Sequence, residues 1–348
     1  MKRFFLIAAL AFLFIFCFNF DISIAGDALK PHGPVPIKNY HPLYMYFNTA
    51  MPDKAETLAA GKYLMDIDYT ASNVVLKQHD INEANYLQLD MEIQRVSLDL
   101  KYGLSDELEL GLEVPFLAFT GGYLDGFVEG FEDIFKGFTS PAFRKDTEKG
   151  GYSYIYRYAQ SGGASQTLVN QGSGGEGIGD IVLSLKANIL KESEVLPAIS
   201  PRIVAKLPTG DDSKLLGSGE LVYGLGVLMD KQLGDYLFGY LNLDVVNTEV
   251  PPAFSPIQGM EDYVIHLVLG YEYFYAERLS TIFQFYYGTT PYPNVSDAMT
   301  AIAHDPISIT IGFNYAVNDR VTWNISAIEN GVSSWPDFSL HTNVRAKF

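Results

Sequence analysis

The chain has 348 residues, with 23 Tyr, 23 Phe, 31 Gly and one Cys, a charged fraction of 19% and a net charge of −17. Few charges among many aromatics exclude an intrinsically disordered chain, and so acidic a surface, which repels phosphate, excludes a nucleic-acid partner. The lone cysteine, Cys17, excludes a disulfide framework or cysteine-ligated zinc.

In chain order, Lys2 and Arg3 precede the apolar run Phe4 to Phe18, and Ser23-Ile24-Ala25 places small residues before Gly26. This layout predicts a cleaved signal peptide over residues 1–25, since the run falls short of the ~18–20 residues of a membrane span. Cleavage removes Lys2, Arg3, Asp21 and Cys17, which leaves a net charge of −18 and no cysteine. Residues 26–61 are Pro-rich and lack a strand pattern. They are expected to form a periplasmic leader or a plug of the lumen, with Tyr40, Leu43, Tyr44, Tyr46 and Phe47 as docking area.

From 62 to 348 the hydrophobic period is two. Met65, Ile67, Tyr69 and Ala71 alternate with polar residues, and so do Leu108, Leu110, Leu112, Val114 and Phe116. The set Leu87, Leu89, Met91, Ile93 slips phase at Gln94-Arg95 into Val96, Leu98 and Leu100, which predicts a bulge in one long strand. Further sets follow at 181–189, 199–207, 221–229, 237–245, 263–275, 279–287, 307–315, 321–327 and 338–348. Short turns alternate with long polar loops at 78–85, 119–177, 208–219, 247–261, 288–305 and 330–336. About twelve strands in this order predict an all-β fold, a transmembrane antiparallel barrel over 62–348. The aromatic strand ends Tyr271, Tyr273, Phe274, Tyr275, Phe283, Phe285, Tyr286 and Tyr287 are expected in interfacial girdles.

The alternate face carries Asp99, Lys101, Glu109, Glu113, Lys186, Arg202, Lys206, Asp244, Glu272 and Arg345. Such charges are costly against lipid and tolerable in a lumen, so they are the candidate lumen charges. Both signs occur, which favours a narrow, cross-linked interior over a wide pore. Inside the loop 119–177, Phe127, Phe131, Ile134, Phe135 and Phe138 recur at helical spacing. This short amphipathic helix over 124–138 is the candidate gate or solute contact, a hatch in the mouth. Its alternatives are a helix lying in the outer leaflet and a helix packed on its own loop.

Other motifs carry little. Gly172 to Gly177 fits G-x-G-x-x-G but precedes a strand, the reverse of a dinucleotide fingerprint. His32, His41, His79, His266, His304 and His341 lack metal-ligand spacing, so no metal or cofactor is expected. Asp211-Asp212 reads best as a solvated turn. Ser339, His341 and Asn343 share one strand face, but no hydrolase signature accompanies them, and the chain is not expected to be an enzyme.

Several segments resemble a family of Gram-negative outer-membrane proteins known only as a domain of unknown function. They are Gly33-Pro34-Val35-Pro36-Ile37-Lys38-Asn39 with Pro42-Leu43, then Tyr102-Gly103-Leu104 through Glu107 to Pro115-Phe116, then Gly121-Gly122 with the stretch 124–138. Gly177-Ile178-Gly179-Asp180-Ile181 and Leu207-Pro208-Thr209-Gly210-Asp211 complete the set. The Tyr-Gly-Leu and Gly-x-Gly-Asp pieces are similar to broader barrel families of fatty-acid and aromatic-solute transporters, and the terminal Phe348 resembles the strand read by the barrel assembly machinery. The resemblance implies an outer-membrane barrel in contact with lipid and lipopolysaccharide, and a channel for passive passage of a small solute, hydrophobic or aromatic. A structural or surface-recognition barrel is the alternative, and a lipid hydrolase a more distant one.

Overall fold

The computed structural model describes residues 29–47, 51–128, 150–160, 163–294, 300–332 and 334–348. The expected signal peptide over 1–25 lies outside them. Among the described residues there are fifteen strands: β1 (Tyr63–His79), β2 (Tyr86–Gly103), β3 (Leu108–Thr120), β4 (Ser153–Tyr158), β5 (Gln166–Gln171), β6 (Glu176–Ile178), β7 (Val182–Ala187), β8 (Ala198–Lys206), β9 (Val222–Gln232), β10 (Leu237–Asn247), β11 (Tyr263–Ala276), β12 (Leu279–Gly288), β13 (Ile307–Ala316), β14 (Val321–Asn330) and β15 (Phe338–Lys347).

Twelve of them form one ring. β1 pairs with β2 and β15, the strands β15 back to β7 pair in sequence, β7 pairs with β3, and β3 pairs with β2. Every pairing is antiparallel, so the barrel closes and leaves no edge, the condition for backbone to cross lipid without unsatisfied groups. β4 extends the upper part of β2 at Tyr86–Asp90, β5 pairs with β4, and β6 adds to β3 at Phe116–Ala118. The connections 104–107, 188–197, 233–236, 277–278 and 317–320, none over ten residues, share one end, and the longest loops, among them 207–221, 248–262 and 289–306, share the other. In transmembrane barrels the long-loop end is extracellular.

The outer wall follows from the alternation. Ile309, Ile311, Phe313 and Tyr315 on β13 are 42–51% exposed, while Ser308, Thr310 and Asn314 between them are buried. The nine residues 307–315 span roughly 27–30 Å of strand, and a tilt of 35–45° brings that close to the ~25 Å apolar band of such barrels. Leu98, Leu100, Leu110, Leu183, Ile203 and Leu225 continue the band on other strands. Tyr63 packs against Tyr102 at the short-turn rim, with ring centroids 4.7 Å apart, and Tyr273 and Tyr275 pair there at 5.1 Å.

Three expectations are corrected. The phase slip at Gln94-Arg95 is no bulge: β1 and β2 stay in one register from Tyr63↔Tyr102 to His79↔Tyr86. What changes is the environment. Leu87, Leu89, Met91 and Ile93 share the inward face with Arg95, Ser97 and Asp99, and they meet an apolar core in the extracellular half of the barrel. Two of the expected girdle residues, Phe274 and Tyr286, point inward and pack with Val35, Ile37 and Trp335. The loop 119–177 contains β4, β5 and β6. Their signal was present as Tyr152, Tyr154, Tyr156 and Tyr158, an alternation too short to stand out.

Candidate functional site

The lumen is occupied by the chain's own amino-terminal segment. Val35 N–H donates to Gln284 on β12, and His32 N–H to Glu272 on β11. Arg345 on β15 donates to the His32 carbonyl, and Arg202 on β8 to the Met51 carbonyl. Asn242 on β10 and Asp53 exchange hydrogen bonds of 2.8 and 3.0 Å. A segment bonded to inward residues all around the ring lies inside it. Pro-rich sequence suits this position: Pro34 and Pro36 carry no N–H, so this stretch leaves few donors for the wall to satisfy.

Charges hold the segment. Lys38 Nζ donates to both oxygens of Glu113 at 2.9 and 2.7 Å, and Arg95 reaches the same carboxylate at 2.7 Å. Asp53 sits between Lys101 at 2.6 Å and Lys186 at 2.8 Å, and Lys186 also meets Glu109 at 3.0 Å. Burial works to raise the Asp53 carboxyl, but the two ammonium groups override it and hold it well below its ordinary value. Burial lowers the Lys38 ammonium, against the pull of Glu113. Arg202 forks onto Asp244 at 2.8 and 2.6 Å, and Arg345 pairs with Asp66 at 2.9 Å. Such pairs are costly to break, because a lone charge would be left in a low-dielectric interior.

The aromatic stretch Tyr40–Phe47 forms the extracellular contact. The Tyr44 hydroxyl donates to Thr290 at 2.7 Å, the Tyr292 hydroxyl to the Leu43 carbonyl at 2.6 Å, and the Tyr46 hydroxyl to the Leu215 carbonyl at 3.2 Å. Tyr154 and Tyr156 of β4, Phe254 and Ile302 join the same apolar cluster, so four extracellular loops converge on this stretch. His41 is fully buried, and burial pushes its imidazole down to about 3.

All ten candidate lumen charges therefore face the interior, each with a partner of opposite charge except Asp99, whose carboxylate accepts from Ser97 at 2.8 Å, and Glu272, whose carboxylate hydrogen-bonds the His32 ring. For Glu272 the partner is His32, 2.6 Å from its carboxylate, and for Lys206 it is Asp180 at 3.0 Å. The inward charges Arg95, Asp66 and Asp180 belong with this set. The two segments 177–181 and 207–211 bond to each other: Asp180 accepts from Gly210 N–H at 3.0 Å and Ser218 N–H at 2.9 Å, and Thr209 donates to the Gly179 carbonyl. A Cβ on Gly217 would lie 2.3 Å from Asp180 Oδ1, so this close approach needs glycine. Lys38, Glu113, Asp180, Lys206 and Gly217 line a single cleft of about 40 Å³, and a second cleft of about 50 Å³ lies between Asp53, Asp99 and Arg202. Both are of water size.

The candidate gate is placed differently. Leu124 and Val128 pack with Ala71, Phe338 and Leu340, which are outward residues of β1 and β15. The Phe127 ring lies 5.5 Å from Phe338, outside the ring of strands. Glu92 Oε2 accepts from Tyr123 N–H and Leu124 N–H, both at 2.9 Å, and Asn73 donates to Asp125 at 2.8 Å. Phe131, Ile134, Phe135 and Phe138 lie outside the described residues. Ser339 bonds Ser72 at 2.8 Å, and His341 bonds Thr70 at 2.9 Å. Neither bond joins the serine to the histidine.

Residues 23–348 match the family described as protein of unknown function (DUF3187). Among solved structures, the chain is similar to an outer-membrane channel from Pseudomonas putida F1, with 12% identity and a TM-score of 0.55 over 85% of this chain and 99% of that one. It also aligns with the NanC porin (9% identity, TM-score 0.43, 82% and 98% covered) and with the Pseudomonas putida toluene transporter TodX (8%, 0.35, 89% and 97%). No curated protein matches the chain. The fold is that of an outer-membrane channel.

Proposed function

The chain belongs to the DUF3187 family, and from its own geometry we propose that it is an outer-membrane channel for a small solute, held shut by its amino-terminal segment. Passage is diffusive: solutes move down their gradient once the segment yields. Signal-peptide cleavage delivers residues 26–61 to the periplasmic side, from which they enter the lumen. Lipid and lipopolysaccharide surround the wall, and the assembly machinery reads the strand that ends in Phe348. The solute class includes hydrophobic or aromatic molecules, and no catalytic step is involved.

One observation carries this proposal. The lumen is filled by the amino-terminal segment, which is tied to the wall through side chains and loop contacts and packs against inward strand residues such as Phe274 and Tyr286. Liposome swelling tests it. Protein lacking residues 29–47 should pass small sugars and aromatic alcohols faster than the whole mature chain. Val35 and Gln284 replaced together by cysteine and joined by a disulfide-containing cross-linker should reduce swelling below the whole chain's rate, with release on reduction of that disulfide. Equal swelling in all three states returns the structural-barrel alternative.

A further inference from the structure

The inner segment crosses the lumen in two limbs. The first, residues 32–39, starts beside Glu272 and Arg345 near the short turns, and Asn39 Nδ2 donates to the Ser334 carbonyl in the loop after β14. The second, residues 51–60, ends at the short turn 104–107, where Ala60 N–H donates to Asp106 at 3.0 Å.

The wall behind the two limbs differs. The second limb is held by charged strands. Lys186 Nζ on β7 donates to the Lys54 and Glu56 carbonyls at 2.9 and 3.0 Å. Asp230 on β9 accepts from Ala55 N–H at 2.6 Å, and Glu109 on β3 from Leu58 N–H at 2.9 Å. These bonds add to the ion pairs of Asp53 and the Arg202 bond to Met51. The first limb lies against β12, β13 and β14. β12 and β13 contain no charged residue, and Glu329, the one on β14, is paired with Phe338 and shares its outward face. The inward polar groups of this arc are hydroxyls and amides, among them Ser280, Gln284, Thr310, Asn314, Asn324 and Ser326.

Gln284 exchanges hydrogen bonds with Val35 at 3.0 and 3.3 Å. Asn324 instead donates to Asn314 and accepts from Ser326, both at 2.7 Å, so these bonds run within the wall. A cleft of about 10 Å³ lies between Pro34, Pro36, Asn314 and Asn324. Val35 and Ile37 share an apolar cluster with Tyr286 and Trp335.

We propose that opening withdraws the first limb and leaves the second in place, and that the path so freed along β12–β14 passes an uncharged solute with several hydroxyl groups on a compact carbon frame, a monosaccharide being the simplest. Hydroxyls and amides of the arc replace the solute's bonds to water. The rings of Tyr286 and Trp335, vacated by Val35 and Ile37, meet its carbon frame. A charged solute would lose hydration without gaining a counter-charge, because the charges across the lumen are paired with one another and hold the second limb. The inference rests on the channel reading and narrows its solute.

The test is uptake of labelled glucose, glucosamine and gluconate, three probes of one size, into liposomes holding the mature chain or its Lys38→Met variant, whose first limb is loosened. Valinomycin in potassium chloride removes any membrane potential. Glucose should enter at least tenfold faster than either charged probe. Asn324→Asp, or Thr310→Asp at a second point of the arc, should raise the ratio of glucosamine to gluconate entry at least fivefold. Ser184→Asp, beside Lys186 and Arg202 on the charged side, should leave that ratio within twofold. Heat-modifiable migration on a gel verifies that each variant is folded. In hydrogen exchange, the amides of 32–39 should exchange at least tenfold faster than those of 51–58. A charged probe entering as fast as glucose, no shift in a folded aspartate variant of the arc, or equal exchange in the two limbs overturns the proposal while the channel stands. Entry of no probe through either protein overturns the channel and this solute class together.

Discussion

Lys38 and Glu113, 75 positions apart in the chain, form a two-pronged ion pair, 2.9 and 2.7 Å, with both side chains buried. It joins the inner segment to β3, and Arg95 of β2 shares the same carboxylate. Glu113→Gln leaves two cations facing one neutral amide, and breaking a buried pair in this way costs about 3–5 kcal/mol. The variant should show faster protease cleavage within residues 29–58 and higher single-channel conductance. Lys38→Met should act in the same direction but more weakly, because Arg95 still neutralises Glu113.

Acid should release the segment. His41 titrates near 3 in the folded protein against an ordinary 6.5, so the unfolded segment binds the extra proton first. Stability is then complete above about pH 6.5 and falls with pH down to about 3, by about 1.4 kcal/mol per unit. Asp53 adds to the loss below its ordinary 3.8, since its carboxyl is held low by Lys101 and Lys186. Conductance measured from pH 7 to pH 4 should rise, and His41→Phe should flatten the rise.

The loop around Phe127 should not gate. Glu92→Ala removes the acceptor of two backbone N–H groups, at a local cost of about 1–3 kcal/mol. Limited proteolysis should then cut near 121–128, while conductance stays at the wild-type value. A conductance change with an intact inner segment would restore the hatch.

Gly226 on β9 faces Arg202 and Asp244, and a Cβ there would come within 1.9 Å of Asp244 Oδ1. Gly226→Ala should displace the Arg202 fork and cost about 3–5 kcal/mol. A lower temperature for loss of heat-modifiable migration checks it, with a neighbouring outward Leu225→Ala as the mild control.

The barrel was legible because its signal is repeated: every strand alternates, and each repetition is independent. The charges Glu109, Glu113, Lys186 and Arg202 were readable as inward for the same reason. Their partners were not. Lys38 and Asp53 lie in a segment without periodicity, and which cation meets Glu113 depends on how that segment threads a closed ring, a three-dimensional fact that spacing does not encode. The upper part of β2 misled for a physical reason. Period two reports which face is apolar, and there the inward face turned from charged to apolar while the backbone ran straight on. Phe127 shows the same limit: a helical stripe says that one side is greasy, not whether it meets the lumen or the lipid.

Strand β1 hydrogen-bonds to β15, the first stave to the last, from Leu64↔Lys347 to Asn73↔Phe338. The seam therefore cannot be stitched until the whole chain has been delivered. Residues 29–47 and 51–58 precede that first stave, yet end up surrounded by all the rest. Either they are gathered in before the seam shuts, or they must be fed through an already finished hoop. Biogenesis of this protein thus includes a packing problem, in which the vessel is sealed around its own stopper.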